Sequence, residues 1–176
     1  SGADLQNMTA GDLTIGDNRI SSLSVDGVTA ANVANISGKV ILDASGNNAT
    51  ISFSGGSSTF GTLEANAARD LSVSTGVSTT VNGMTLKADF DGNGTGAFSV
   101  AATGSLNSSA ASTSNDIILS GASISLAGDI ATGAGALDMT STGAINQTAG
   151  ALNIGGATTL TAAGTSNIAL TDGDND

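Results

Sequence analysis

The chain of 176 residues is 39% hydrophobic, 11% charged and only 2% aromatic, with a net charge of −11. That charge excludes nucleic acid and anionic lipid as partners, because phosphate binding needs clustered Lys and Arg, and Arg19, Lys39, Arg69 and Lys87 are single and scattered. With no His and no Cys, the usual catalytic triads, imidazole acid–base pairs, disulfides and zinc–thiolate sites are excluded as well.

From Asp12 onward one short unit recurs: apolar, small polar, apolar, then a Gly, Asn, Asp or Ser. It is written "DLTIGD" (12–17), "SLSVDG" (22–27), "VILDASG" (40–46), "TISFSGG" (50–56), "DLSVSTG" (70–76) and "MTLKADFDG" (84–92). It continues as "DIILSG" (116–121), "SISLAG" (123–128), "ALDMTSTG" (136–143), "ALNIGG" (151–156), "TTLTAAG" (158–164) and "IALTDG" (168–173). Alternation over four to six residues, closed by turn formers, predicts half-buried strands. Helical periodicity is nearly absent; the one exception is "LEANAARD" (63–70), and its Ala content makes even that signal weak. No apolar run approaches the roughly 18–20 residues of a membrane-spanning helix.

Two echoes set a longer period. "GALDM" (135–139) returns as "GALNI" (150–154) after 15 residues, and "SNDIILSG" (114–121) precedes "GALDMTSTG" (135–143) by 21. Imperfect periods near 20 predict a solenoid, in which like residues stack about 4.8 Å apart. A narrow interior suits Val, Ile, Leu and Ala, and four Phe are the only aromatics, so the core should consist of small aliphatic layers. The fold expected is all-β, a right-handed parallel β-helix, over a single unit spanning 1–176. The alternative is a β-sandwich, in which Asp26-Gly27 and Asn82-Gly83 would be hairpin turns. The start at Ser1 without Met and the ending "TDGDND" read as a segment of a longer repeat protein.

The stretches "RDLSVSTGVSTTVNGMTLKADFDGNGTGAFSVAATGSL" (69–106) and "TGAINQTAGALNIGGATTLTAAGTSNIALTDGDND" (142–176) resemble the degenerate strand repeats of filamentous-haemagglutinin-like adhesins of two-partner secretion and related giant bacterial surface proteins. The resemblance lies in repeat texture and covers most of the chain from Asp12. It implies a β-helical shaft exported to the bacterial cell surface or medium, with a role in cell adhesion or biofilm matrix. The partners implied are a host-cell, matrix or polysaccharide surface. A self-assembling extracellular fibre, with copies of the chain as its own partners, is the alternative. A polysaccharide-cleaving β-helix enzyme is disfavoured, since no carboxylates visibly converge beside a basic residue and no Trp or Tyr offers a stacking platform.

Catalytic residues are therefore expected to be absent and no cofactor required. Calcium is the one ion the sequence raises. Asp89, Asp91, Asn93 and Gly94 match positions 1, 3, 5 and 6 of the helix–loop–helix calcium loop, whose position 12 is a bidentate Glu. Here position 12 is Val100, and strand-like "MTLKA" and "FSVAA" flank the loop, so the full motif fails. A reduced site at Asp89, Asp91 and Asn93, or a second at Asp172 and Asp174, stands beside the plainer reading of turns built from Asp, Asn and Gly. Six Asn-x-Ser/Thr triplets, at Asn7, Asn35, Asn48, Asn93, Asn107 and Asn146, are what so much Asn, Ser and Thr produces by chance. Met8, Met84 and Met139 read as core or cap residues.

Overall fold

The alternating units form short strands because β-branched and aliphatic residues on one side can be buried while Ser and Thr on the other stay wet. A computed structural model describes residues 2–175. Helix α1 (Gly2–Gln6) precedes a coil of β1 (Leu13–Gly16), β2 (Ser22–Val25) and a 3-10 turn at Ala30–Val33. The second coil holds β3 (Val40–Ala44), β4 (Thr50–Phe53) and β5 (Ser58–Phe60), and the third β6 (Leu63–Ala67), β7 (Leu71–Val73) and β8 (Gly76–Thr79). The fourth has β9 (Met84–Lys87), β10 (Ala97–Val100) and β11 (Ser105–Asn107), and the fifth β12 (Ile117–Gly121), β13 (Ser123–Leu126) and β14 (Asp129–Gly133). The sixth has β15 (Leu137–Ser141), β16 (Ile145–Gln147) and β17 (Leu152–Ile154), and the seventh β18 (Thr158–Ala162) and β19 (Ile168–Leu170).

Coils two to six contribute one strand to each of three sides, and the first and seventh coils to two of them. The first sheet runs β1-β3-β6-β9-β12-β15-β18, the second β2-β4-β7-β10-β13-β16-β19 and the third β5-β8-β11-β14-β17. Neighbouring strands are parallel throughout, as in Val40↔Leu63, Phe98↔Ile124 and Leu106↔Ile130. The protein is thus an all-β solenoid of about seven turns. The sandwich alternative fails, because adjacent strands would be antiparallel and joined by hairpins. Asp26-Gly27 and Asn82-Gly83 are coil corners, not hairpin turns. The segment 63–70 is also no helix: Leu63–Ala67 is β6, where Ala65 and Ala67 fit the narrow interior at 0% exposure.

Register shows which echoes mattered. Ile117 pairs with Leu137 and Leu137 with Thr158, steps of 20 and 21 residues. The 15-residue echo instead links β15 to β17, two sides of one coil. Met84 to Ile117 takes 33 residues, because coil four carries two long corners, 88–96 and 108–116. The second is held by Asn115, whose Nδ2 donates to the carbonyl oxygens of Ser108 (2.7 Å) and Ala111 (3.1 Å).

The interior is made of apolar columns. On the second sheet Ile51, Leu71, Phe98, Ile124 and Ile145 lie one above another and are all buried. Contrary to the expected purely small core, Phe53, Phe60 and Phe98 fill the centre at 0–2% exposure. Met84 and Met139 join them, while Met8 is 43% exposed beside the amino-terminal end. Backbones approach so closely at some corners that a Cβ on Gly128 would overlap the carbonyl oxygen of Gly104. Only Gly fits there.

Candidate functional site

The corner between β9 and β10 carries the first candidate calcium residues. The strand-like flanks "MTLKA" and "FSVAA" correspond to β9, which ends at Lys87, and β10, which begins at Ala97. Asp89 takes a left-handed conformation (φ 51°), as do Gly92 and Gly94, a region where Asp is tolerated and Gly is free. The oxygens that would face a cation are turned to the loop's own donors. Asp89 accepts the N–H groups of Gly94 (3.0 Å) and Thr95 (3.3 Å). Asp91 accepts the Asn93 side-chain amide (2.8 Å), and Asn93 Oδ1 accepts the Thr95 N–H (2.9 Å) and hydroxyl. These are Asx-type bonds that close a turn. On its outer side the corner presents Phe90, 45% exposed, with the Lys87 ammonium 5.8 Å from its ring centre.

Asp172 and Asp174 lie three coils further along, in the segment after β19, so the two candidate groups are not brought together. Asp172 accepts the Asp174 N–H (2.9 Å). Among the described residues no three His, Cys, Asp or Glu side chains group where they could hold a metal ion. Nor is any helix among them long and apolar enough to cross a membrane.

The most regular use of the acidic residues lies elsewhere. Asp12 accepts the N–H of Lys39 (2.8 Å), Asp26 that of Gly56 (2.7 Å) and Asp70 that of Ala97 (3.0 Å). Asp116 accepts from Ala136 (2.8 Å) and Asp129 from Ala151 (3.0 Å). In every case a corner carboxylate reaches the coil that follows and satisfies an N–H beside or at the start of a strand. The sequence signalled turns through its Asp, Asn and Gly. The partners, 20 to 30 residues away, become visible only once the coils stack.

Two further clusters went unnoticed in the sequence. Lys39 Nζ lies 2.6 Å from Glu64 Oε2, and Asn66 donates to Glu64 Oε1 (3.0 Å). The hydrogen bond from Lys39 is the main reason the Glu64 carboxyl titrates below its ordinary value, with the Asn66 bond second. The same hydrogen bond raises the Lys39 ammonium. At the carboxy-terminal end Gln147 enters an otherwise apolar column, 1% exposed, next to Leu126. Its amide pairs in both directions with Asn175: Gln147 Nε2 donates to Asn175 Oδ1 (2.7 Å) and Asn175 Nδ2 to Gln147 Oε1 (2.8 Å). Asn175 Oδ1 also accepts the Leu152 N–H (3.0 Å), the bond that the Ala151 carbonyl makes to Ile130 one coil earlier.

The outer faces are shallow and polar. Ser24, Ser52, Ser72, Ser99 and Ser125 form one continuous column on the second sheet. Pairs such as Thr59 and Ser78 share a hydroxyl hydrogen bond (2.9 Å) on the third. The family model that matches describes repeats of unknown function (DUF5649) and covers residues 114–176. That stretch opens just before β12 and takes in coils five to seven, the part with the most even spacing. No curated protein and no solved structure matches the chain.

Proposed function

We propose that this chain is a shaft segment of a large bacterial exoprotein, exposed at the cell surface or released outside the cell, where it serves adhesion or matrix building. One observation carries the reading: the parallel register runs through seven coils, and the inward columns stay mostly apolar while Ser and Thr recur along the outer faces. Such a stack passes load along its axis through backbone hydrogen bonds, and each coil contacts chiefly its neighbours. Chemistry is not its task in this reading. Five of its carboxylates, those of Asp12, Asp26, Asp70, Asp116 and Asp129, bond to corner amides of the next coil. The targets would be a host-cell, matrix or polysaccharide surface, reached by parts the shaft holds away from the cell.

Antibodies raised against the folded chain test the placement. They should label intact cells of the source bacterium or its cell-free medium. A signal confined to broken cells would overturn the proposal.

A further inference from the structure

We infer that the corner between the first and second sheets carries a binding site for an uncharged saccharide, with Arg69 as its central donor. This goes beyond the shaft reading, in which targets are met by parts the shaft holds out, because it gives this stretch of the shaft a recognition site of its own.

The site follows from uneven corner lengths. Between the first and second sheets the chain turns through residues 45–49 in coil two, 68–70 in coil three, 88–96 in coil four and Ala122 alone in coil five. Long corners beside short ones leave a gap in a stack whose strands are otherwise in register. A notch of about 640 Å³ opens there, with Asn48, Arg69, Asp70, Thr95, Gly96 and Ser123 in its lining, so coils two to five all contribute. Its size falls within the roughly 300–1,000 Å³ usual for small-ligand sites. The frame is fixed by the chain's own bonds. The Arg69 N–H donates to the Ala49 carbonyl (2.8 Å), the Asp89 N–H to the Arg69 carbonyl (3.0 Å) and the Ala97 N–H to Asp70 Oδ1 (3.0 Å).

The groups left open in the notch select the ligand. Arg69 Nε lies 3.3 Å from Asp70 Oδ2, while the two terminal nitrogens of Arg69 have no partner among the described residues. The same holds for the Asn48 side-chain amide, the Ser123 hydroxyl and the Gly96 N–H. Gly96 is a buried residue, and a backbone N–H without a partner there calls for an acceptor from outside the chain. Ala97 and Ala122 supply the only apolar side chains of the lining, too little surface for a lipid or an aromatic compound. Charge excludes more. Arg69 and Asp70 offset each other inside the notch, and a chain at −11 repels anions at long range. A cation would face the Arg69 guanidinium. What remains is an uncharged molecule whose groups both donate and accept, which describes a saccharide. Its hydroxyl oxygens can take the Arg69 and Gly96 N–H groups, and its hydroxyl protons can go to the Asn48 amide oxygen and Ser123 Oγ.

Amide NMR spectra of the isotope-labelled full chain test this, titrated with cellotetraose, xylotetraose, mannotetraose and N-acetylchitotetraose, and with tetragalacturonate as the anionic comparison. At least one neutral sugar should shift the Asn48, Arg69, Gly96 and Ser123 peaks saturably, and tetragalacturonate should bind more weakly. Arg69→Ala should weaken that binding about tenfold or more, the loss expected for hydrogen bonds from a charged donor. Arg69→Lys should not restore it, because an ammonium lacks the planar fork. The Arg69 side chain is 54% exposed, so the rest of the spectrum should stay unchanged. Ser123→Ala should weaken binding by a smaller factor, and Ser52→Ala, on the same sheet outside the notch, should not alter it. The inference is overturned if no neutral sugar moves these peaks, or if binding keeps its full strength in Arg69→Ala and Ser123→Ala. Tighter binding of tetragalacturonate than of every neutral sugar would overturn it too. Antibody labelling of intact cells reads none of this, so the shaft reading and the notch can fail separately.

Discussion

At the residue scale the acidic side chains are structural acceptors. An N–H group at a solenoid corner has no strand partner, and leaving it unsatisfied costs about 1–3 kcal/mol where it is buried. Asp is short enough to reach it across one rung spacing, which is why fourteen Asp outnumber a single Glu. Glu64 has a different task, holding Lys39 across the outer face of the first sheet. Its carboxyl titrates below the ordinary 4.5, so the stability it contributes is complete above that pH and is lost as pH falls through the lowered value. The raised Lys39 ammonium contributes below its ordinary 10.5 and loses its contribution as pH climbs through the raised value. Both side chains are partly exposed, so the pair is worth no more than about 1 kcal/mol. Lys39→Met should therefore lower the unfolding free energy slightly at pH 7. Chemical denaturation over a series of falling pH values below 4.5 should show the difference from wild type shrink as Glu64 protonates.

At the element scale, the strands were readable because alternation with period two is the same information as burial. Ile118 shows how literal that is: in the apolar run of 117–119 it is the central residue, and it is 41% exposed while Ile117 and Leu119 are at 0%. The Ala-rich segment 63–70 misled because Ala carries little directional hydrophobicity, and stacking between β3 and β9 decided for a strand. The Gln147–Asn175 pair could not be read at all, since its partners lie 28 residues apart. Asn175→Ala leaves the buried Gln147 amide short of its partner and should cost about 1–3 kcal/mol. Adding Gln147→Leu should restore part of that loss, because the column it enters is otherwise apolar. Thermal or urea unfolding of the two variants and their combination measures the coupling. Additive effects would show that the pair contributes nothing as a pair.

At the scale of the whole molecule, stability should vary along the axis. An interior coil is packed on both sides, and an end coil on one. Leu119→Ala, in the middle of the first sheet, should cost about 2–5 kcal/mol, the usual range for a fully buried Leu. Leu160→Ala, in the last coil and only half-buried, should cost clearly less. Hydrogen exchange should rank the amides alike, with coils three to six slowest and coil seven fastest. Equal protection throughout would contradict this picture.

The alternation of apolar and small polar residues determined on its own that the chain is built of strands, and the 20–21 residue spacing determined that they coil. Both are local or periodic properties, carried by side-chain type and by the pleat. The tertiary structure alone decided which repeats stack, since register depends on how long each corner is, and coil four holds 33 residues where coil five holds 20. It also placed the polar side chains. In "DFDGNGTG" Asp91 accepts the Asn93 N–H and Asp89 those of Gly94 and Thr95, a matter of three-dimensional position that composition does not carry.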